Sequence, residues 1–333
     1  MRYGFDTGWG KMGGQSKLSV VATLYQSEAT VVEFYERCVH AVSRHFAEFE
    51  IVFVDDGSRD GSLKLALELK DRDPRVVVVE LSRNFGHHRA MMTGLAVASG
   101  DYVFLIDSDL EEEPELLDMF VSRFNVGDCD VVYGVQERRK GGRVERVTGE
   151  VFFWLVERLS DEKLPRNLVT ARFMTRDYVR ALVRHRDREF FIAHLWLLTG
   201  FRQVPLKVRK LSLSPTTYSF SRRLEMLVKY VTTTSTRLLY MILYLGLATA
   251  SFSAVMILYT IGRYISTGVA TDGWTSLIVT VSFFGGLNVL LLGIIGIYIA
   301  NIFTESKRRP YTVIRRIHRG QPSVALTTTD SRG

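Results

Sequence analysis

The sequence predicts an α/β protein whose mostly parallel sheet carries helices on both faces and is followed by two membrane-spanning helices. Three observations carry this reading. Continuous apolar runs alternate with segments of helical periodicity from Lys17 to about residue 135, the pattern of strands buried on both faces. Acidic residues gather where the second and fourth runs end. Two long uncharged stretches lie near the C-terminus.

Taken in order, LSVVATLY reads as a buried strand, Glu28–Phe46 as a helix, FEIVFVDDG as a strand and SLKLALELKDRD as a helix. RVVVVELS, HHRAMMTGLAVAS, DYVFLIDSD, PELLDMFVSRF and DVVYGV continue the alternation as strand, helix, strand, helix and strand. Short β-branched runs bounded by turn residues mark the strands, and helical recurrence of apolar positions marks the helices. The sheet domain is placed at residues 17–215. Residues 1–16 form a Gly-rich leader without the apolar core of a signal peptide. Cys38 and Cys129 lack metal-ligand spacing and read as buried thiols.

Leu238–Ile261 runs 24 residues without a charge, and Gly273 to Thr304 is also uncharged. A span needs about 20 apolar residues, so two transmembrane helices are expected, at about 238–261 and 276–300 within residues 237–304. Basic residues flank the pair: Arg222, Arg223, Lys229 and Arg237 before it, Lys307, Arg308, Arg309, Arg315 and Arg316 after it. The loop between holds one Arg and one Asp. The positive-inside rule then predicts an inner-membrane protein with its sheet domain and both termini in the cytoplasm. Residues 216–236, with Leu224, Leu227, Val228 and Val231 at helical spacing among basic residues, suit an amphipathic helix in the membrane interface. The formal net charge is +7, and the tail at residues 305–333 is basic. Behind two spans that tail meets anionic headgroups, which argues against nucleic acid as its partner. Gly285, Gly286, Gly293 and Gly296 suit close helix packing, and Asn288 among them calls for an interhelical hydrogen bond.

Asp55 and Asp56 finish the second strand, Asp107 and Asp109 the fourth. Ligands of such sheets bind beyond the carboxyl ends of the strands. Two acidic pairs on one rim repel strongly at low dielectric unless a cation lies between them. Asp107 and Asp109, two apart on an extended segment, are expected to point the same way. Hard oxygen ligands suit Mg²⁺ or Mn²⁺ shared with a diphosphate. No GxGxxG follows the first strand and no GxxxxGK[ST] occurs, so the pattern favours a leaving nucleotide over a permanently held one. Glu112, Glu113 and Glu115 read as acids at a helix start beside Pro114, worth about 0.3–1 kcal/mol each against the helix dipole. Glu111 stands between that role and the metal. His87 and His88 diverge on a helix and do not share a metal, though one could stand near a diphosphate. Met91, Met92 and Trp196 read as packing residues.

These residues resemble the family 2 glycosyltransferases of GT-A fold, a Rossmann-like architecture, and more narrowly the polyprenyl-phosphate glycosyltransferases. The resemblance runs from about Leu18 to Val313 through ATLYQSE, VDDGSRDGS, RNFGHHRAMMTGLAVASGD, IDSDLEEEPE, VVYGVQERRKGG, ARFMTRDYV, TTYSFSRR and GIIGIYIANIFTESKRRPY. It implies that Asp55 and Asp56 face the nucleobase and ribose, and that Arg83 and Asn84 line the nucleotide pocket. Asp107 and Asp109 become the DxD pair that binds the metal and the nucleotide, with Glu111 a further candidate ligand. Arg172 matches an arginine near the sugar diphosphate. Arg139, Arg146, Arg222 and Arg223 become candidates for the lipid phosphate. The resemblance also implies a homo-oligomer, a tetramer in some relatives. The chain departs from many relatives at Glu111, where they carry Gln, at Thr170, where they carry an acid, and at Gln136, where Arg is common.

The implied reaction is attack by a lipid phosphate oxygen on the anomeric carbon of a nucleotide sugar, a UDP-sugar ahead of a GDP-sugar, with inversion. A phosphate monoester has a second pKa near ~6 and is already ionised at neutral pH, so a missing acid at Thr170 is tolerable. Two alternatives stand beside it: a family 2 enzyme with another acceptor, and a non-catalytic membrane partner in glycan assembly. A processive synthase would show a QxxRW motif and a longer membrane channel, and the sequence has neither.

Overall fold

Residues 16–136, 167–188, 190–211, 228, 230–233, 235–267 and 273–320 are described by the computed structural model. Eight strands are present: β1 (Lys17–Leu24), β2 (Glu48–Asp55), β3 (Val76–Leu81), β4 (Tyr102–Leu105), β5 (Val131–Gln136), β6 (Leu168–Thr175), β7 (Gln203–Val208) and β8 (Ile314–Arg319). They form one sheet in the order β7-β5-β6-β4-β1-β2-β3-β8. β4, β1, β2 and β3 run parallel, and β5 and β7 run with them; only β6 and β8 are antiparallel to their neighbours. The mostly parallel α/β sheet is therefore present.

The helices of this domain are α1 (Val31–Ser43), α2 (Ser62–Arg72), α3 (His87–Val97), α4 (Leu116–Asn125), α5 (Arg176–Val183) and α6 (Ile192–Leu198). Alternation along each strand sorts the core into two layers. Val20, Ile51, Phe53, Phe104 and Phe173 pack under α1, α2 and α4 through Phe34, Ala66 and Phe120. Val21, Val52, Val54, Val103 and Met174 pack under α3, α5 and α6 through Met91, Tyr178 and Leu195. Both cysteines are free and buried. The strand order reverses between β1 and β4, with β2 and β3 on one side of β1 and β4 on the other, and a sheet of this kind offers its ligand crevice at such a switch point.

The structure departs from the sequence reading at three places. β4 ends at Leu105, so Asp107 and Asp109 lie in a turn, not on an extended segment, and Leu110 there takes a left-handed φ of 60°. They consequently point different ways: Asp109 is exposed and Asp107 turns inward. The second is β6, a strand that the sequence reading did not place, which inserts antiparallel between β4 and β5. Third, the basic tail is not wholly a separate segment, because Ile314–Arg319 returns to pair with β3 as an edge strand. Arg315 and His318 of that strand both engage Glu80, at 3.1 and 3.3 Å, so Arg315 is directed at the sheet rather than only at headgroups.

α7 (Arg237–Thr267) and α8 (Trp274–Ser306) contain segments long and apolar enough to cross a membrane, Arg237–Arg263 and Phe283–Ser306, with mean hydropathy 2.0 and 2.1 and none of their described residues buried. At about 1.5 Å per residue each exceeds the ~30 Å hydrocarbon core. Tyr298 Oη donates to the Ser235 carbonyl at 2.8 Å and Asn301 Nδ2 to the Thr232 carbonyl at 3.2 Å, fixing α8 to the segment before α7. Asn288 is exposed, without the expected interhelical hydrogen bond among the described residues. Of the predicted amphipathic helix only a few residues are described; Tyr230 and Val231 are buried, and Tyr230 packs edge-on against Phe191.

Candidate active site

Four segments converge at the carboxyl ends of β1 and β4. β1 contributes Thr23, whose hydroxyl lies 3.0 Å from His87 Nδ1 at the start of α3. His87 Nε2 then lies 3.2 Å from Asp107 Oδ1. From β6, the Thr170 hydroxyl donates to Asp107 Oδ2 at 2.7 Å. Asp107 Oδ1, although buried, makes no hydrogen bond; His87 is near enough to act by charge but lacks bonding geometry. A buried acceptor left in that state costs about 1–3 kcal/mol unless a ligand supplies the partner.

The glutamates that follow divide by role. Glu112 is fully buried and accepts the Thr170 and Ala171 amides at 3.0 and 2.6 Å, clamping β6 beside the turn. It is therefore not a helix-start acid: α4 begins only at Leu116. Burial, with the nearby Asp107 charge, pushes its carboxyl up to about 7. Lys210 Nζ lies 3.2 Å from Glu111 and 3.5 Å from Glu112. Glu113 and Glu115 face the other way, onto Arg37 at 3.3 and 2.6 Å.

Electrostatics follow from burial set against these partners. Burial works against the ionised Asp107, but His87, Thr170 and Lys210 outweigh it and hold the carboxyl below its ordinary range. Burial raises Asp109, helped by the charges of Asp107 and Glu111. For His87 and Lys210 burial opposes protonation, yet the surrounding carboxylates dominate and both are raised. The cluster thus sets four acidic side chains, Asp107, Asp109, Glu111 and Glu112, against His87 and Lys210. Among the described residues no three His, Cys, Asp or Glu side chains converge as a complete cation cage. A hard cation that takes one or two carboxylates and completes its shell with phosphate oxygens needs no such cage. Asp107 Oδ1, with no hydrogen bond and only the His87 ring close by at 3.2 Å, fits that mode of binding.

The adjoining rim is built by the loop after β3. Asp56 accepts the Phe85 and Gly86 amides at 2.7 and 2.9 Å and so shapes the loop that carries Arg83 and Asn84. Gly57, at φ +69°, passes so close to this loop that a Cβ would lie 2.6 Å from Arg83 C and Asn84 N. Arg83 and Asn84 are exposed, with the Arg83 guanidinium 4.2 Å from the Phe85 ring. Asp55 is buried, and burial raises its carboxyl, as it does that of Asp56.

Next to Asp107 opens a cavity of about 300 Å³ lined by His87, His88, Glu112, Thr170, Phe191, Trp196 and Lys210, among others. Arg172 sits behind it, 1% exposed, its guanidinium carbon 3.0 Å from the Trp196 ring centre. The structure therefore brings together Asp107, Asp109 and Glu111, places Asp55, Asp56, Arg83 and Asn84 along the adjoining rim, and buries Arg172. Arg139, Arg146, Arg222 and Arg223 lie outside the described residues. Glu112 and Lys210 escaped the sequence reading as site residues. The one available signal for Glu112 was its place two residues before Pro114, ahead of any helix; Lys210 offered none. Trp196 and Met91, read as packing, are also cavity walls.

The glycosyl transferase family 2 profile matches residues 19–191, more than half of the chain and all of this site except Lys210 and Trp196. The chain belongs to glycosyltransferase family 2. Its GT-A sheet is the one laid out above. A Mycobacterium tuberculosis (strain CDC 1551 / Oshkosh) protein whose name places it among the glycosyltransferases is 47% identical over 302 residues, 91% of this chain and 88% of the relative. The uncharacterized glycosyltransferase YkcC of Bacillus subtilis (strain 168) is 30% identical, over 92% of this glycosyltransferase and 95% of its own length. The SfII prophage-derived bactoprenol glucosyl transferase of Shigella flexneri is also 30% identical, over 92% of this chain and 100% of its own.

Proposed function

We propose that this glycosyltransferase moves a sugar from a nucleotide diphosphate sugar, a UDP-sugar before a GDP-sugar, to a polyprenyl phosphate at the cytoplasmic face of the membrane. The lipid-linked sugar would serve cell-envelope glycan modification. The observation that carries the reading is Asp107: a largely buried carboxylate at the sheet's switch point, hydrogen-bonded on one oxygen by Thr170 and with only the His87 ring close to the other. The acceptor class is supported by the name of the Shigella relative and by two helices of membrane-crossing length on the same chain. The pairing of β8 with β3 supports a hairpin crossing, since the chain before α7 and the chain after α8 share one sheet. Glycines of α8 with no neighbour within 4 Å leave room for a second copy, in keeping with a homo-oligomer.

In this mechanism Asp107 and Asp109, with Glu111 beside them, would hold Mg²⁺ or Mn²⁺. When bound, that ion neutralises the diphosphate and stabilises the departing nucleotide. The residues of the chain supply position. Asp56 fixes the loop that meets the nucleotide, and Thr170 and Glu112 lock β6 against the acidic turn. An ionised phosphate acceptor needs no strong base, so bringing it in line with the anomeric carbon is the main task. Direct displacement inverts that carbon. Arg139, Arg146, Arg222 and Arg223 are the proposed grip on the lipid phosphate. The test offers membranes containing the protein a panel of labelled UDP- and GDP-sugars with polyprenyl phosphate. Label extracted with the lipid identifies the donor; none from any donor refutes the proposal.

A further inference from the structure

The segment after α8 returns to the sheet at the rim that carries Asp55, Arg83 and Asn84. Glu80, near the end of β3, stands abreast of Asp55 at the end of β2 in their parallel pairing. Val54 and Val79, one position earlier, both pack in the α3 layer, so by strand alternation the two carboxylates share the opposite face. Neighbouring strands lie about 4.8 Å apart, and two ionised carboxylates at such a spacing repel unless a cation answers one of them. Asp55 is buried, and the charge of Glu80 adds to burial in raising its carboxyl.

The answer comes from β8. Arg315 Nη1 lies 3.1 Å from Glu80 Oε1 and His318 Nε2 3.3 Å from Oε2, so each carboxylate oxygen has its own partner. The same segment holds the residue just ahead of Arg83 and Asn84 on both sides. The Ser82 amide donates to the Val313 carbonyl at 2.9 Å, and Arg315 Nη2 lies 3.5 Å from the Ser82 carbonyl. A contact of 2.8 Å between the hydroxyls of Thr312 and Thr93 fixes the approach to β8 against α3. None of these partners belongs to the acidic turn. With Glu80 left bare, its charge would disfavour the ionised Asp55 and any anion brought to the rim.

We propose that β8 is a strut of the nucleotide rim, with Arg315 and His318 as positioning residues: they neutralise Glu80, leave Asp55 its charge for the nucleotide, and fix the loop of Arg83 and Asn84. This deepens the glycosyltransfer reading and rests on its nucleotide-diphosphate donor. The rim is thereby completed by chain that follows both apolar helices, and residues 307–313 are the link from α8 to it.

The test uses the full chain in detergent with Mn²⁺ present, and labelled UDP and GDP as separate probes in equilibrium dialysis. Arg315→Met combined with His318→Gln leaves the Glu80 charge unanswered. It should weaken the probe that binds by about twofold to fivefold, the range of part-exposed ion pairs. Glu80→Gln alone removes the charge beside Asp55 and should bind that probe at least as tightly as the native protein. Added to the Arg315 and His318 changes, Glu80→Gln should restore native affinity. A purely mechanical tie predicts the opposite, because Glu80→Gln then weakens the same contacts and rescues nothing. In transfer assays the Arg315 and His318 changes should raise KM for the nucleotide sugar by the same factor and leave KM for a short-chain prenyl phosphate unchanged. Native affinity in that double variant, an equal rise in both KM values, or weaker binding by Glu80→Gln overturns the strut. The last measurement decides even where the double variant fails to fold, since Gln keeps both β8 partners within hydrogen-bonding reach. No binding of UDP or GDP by the native protein overturns the glycosyltransfer reading itself, and the strut with it.

Discussion

Glu50 and Asp107 are carboxylates set into opposite ends of the same sheet, Glu50 near the start of β2 and Asp107 beyond the end of β4, and the molecule treats them differently. Glu50 accepts from the Ser19 hydroxyl at 2.6 Å, the Ser99 amide at 2.6 Å, the Ser99 hydroxyl at 2.9 Å and Lys17 at 3.1 Å. Asp107 has one hydrogen bond, and its other oxygen has only the His87 ring close by, at 3.2 Å. Burial is the largest influence on both, and in both it is overcome, at Glu50 by hydrogen bonds and at Asp107 chiefly by His87. A saturated buried acid ties strands together; a half-saturated one at a switch point waits for a ligand. The distinction lies in the partner count, not in burial.

The largest break in this contrast should come at the acidic turn. Asp109→Asn, or excess chelator with the native protein, should lower transfer about a thousandfold or more, the several kcal/mol of charge stabilisation a metal supplies. The midpoint of thermal unfolding should stay near that of the native protein; full activity in chelator would sink the metal-assisted route. Glu50→Gln should do the reverse, removing about 2 kcal/mol of stability while transfer per folded molecule holds, as urea unfolding and rate assays on one preparation will show.

The acid limb sharpens the point. Glu50 is held below its ordinary 4.5 in the folded protein, so the unfolded chain binds its proton first. The stability it contributes is full above about pH 4.5 and drains away as pH falls through the folded value. Glu50→Gln should flatten that part of the stability–pH curve, and an unchanged slope would contradict the role given to Glu50. Smaller is Thr170→Val, which strips Asp107 of its one hydrogen bond and should slow transfer about tenfold, equivalent to ~1.4 kcal/mol. Smallest is Lys17→Met: its pair with Glu50 is a third exposed on the Lys side, so a loss of about 0–1 kcal/mol is expected, and a larger one would mean that Glu50 depends on charge more than on Ser19 and Ser99.

The first four βα units were legible because each strand is a continuous apolar run between turn residues. β6 and β8 were not. β6 places Thr170 and Arg172 on one face, and β8 reads IRRIHR, a charged pattern typical of a guarded edge that resembles a loose tail. At the site Asp107 and Asp109 were legible from their motif, whereas the partners that decide their behaviour come from distant stretches. Thr23, His87, Thr170 and Lys210 meet only once the antiparallel β6 is in place. Glu112 misled because acids near Pro114 ordinarily begin a helix, and here α4 starts later, leaving Glu112 to turn inward and hold β6.

The most direct test sets Asp107→Asn beside Glu50→Gln, at equal amounts of folded protein, and measures transfer of labelled sugar from the donor into polyprenyl phosphate. The half-saturated acid as ligand site predicts no lipid-linked label from Asp107→Asn and near-native rates from Glu50→Gln. Native-like transfer by Asp107→Asn would contradict it.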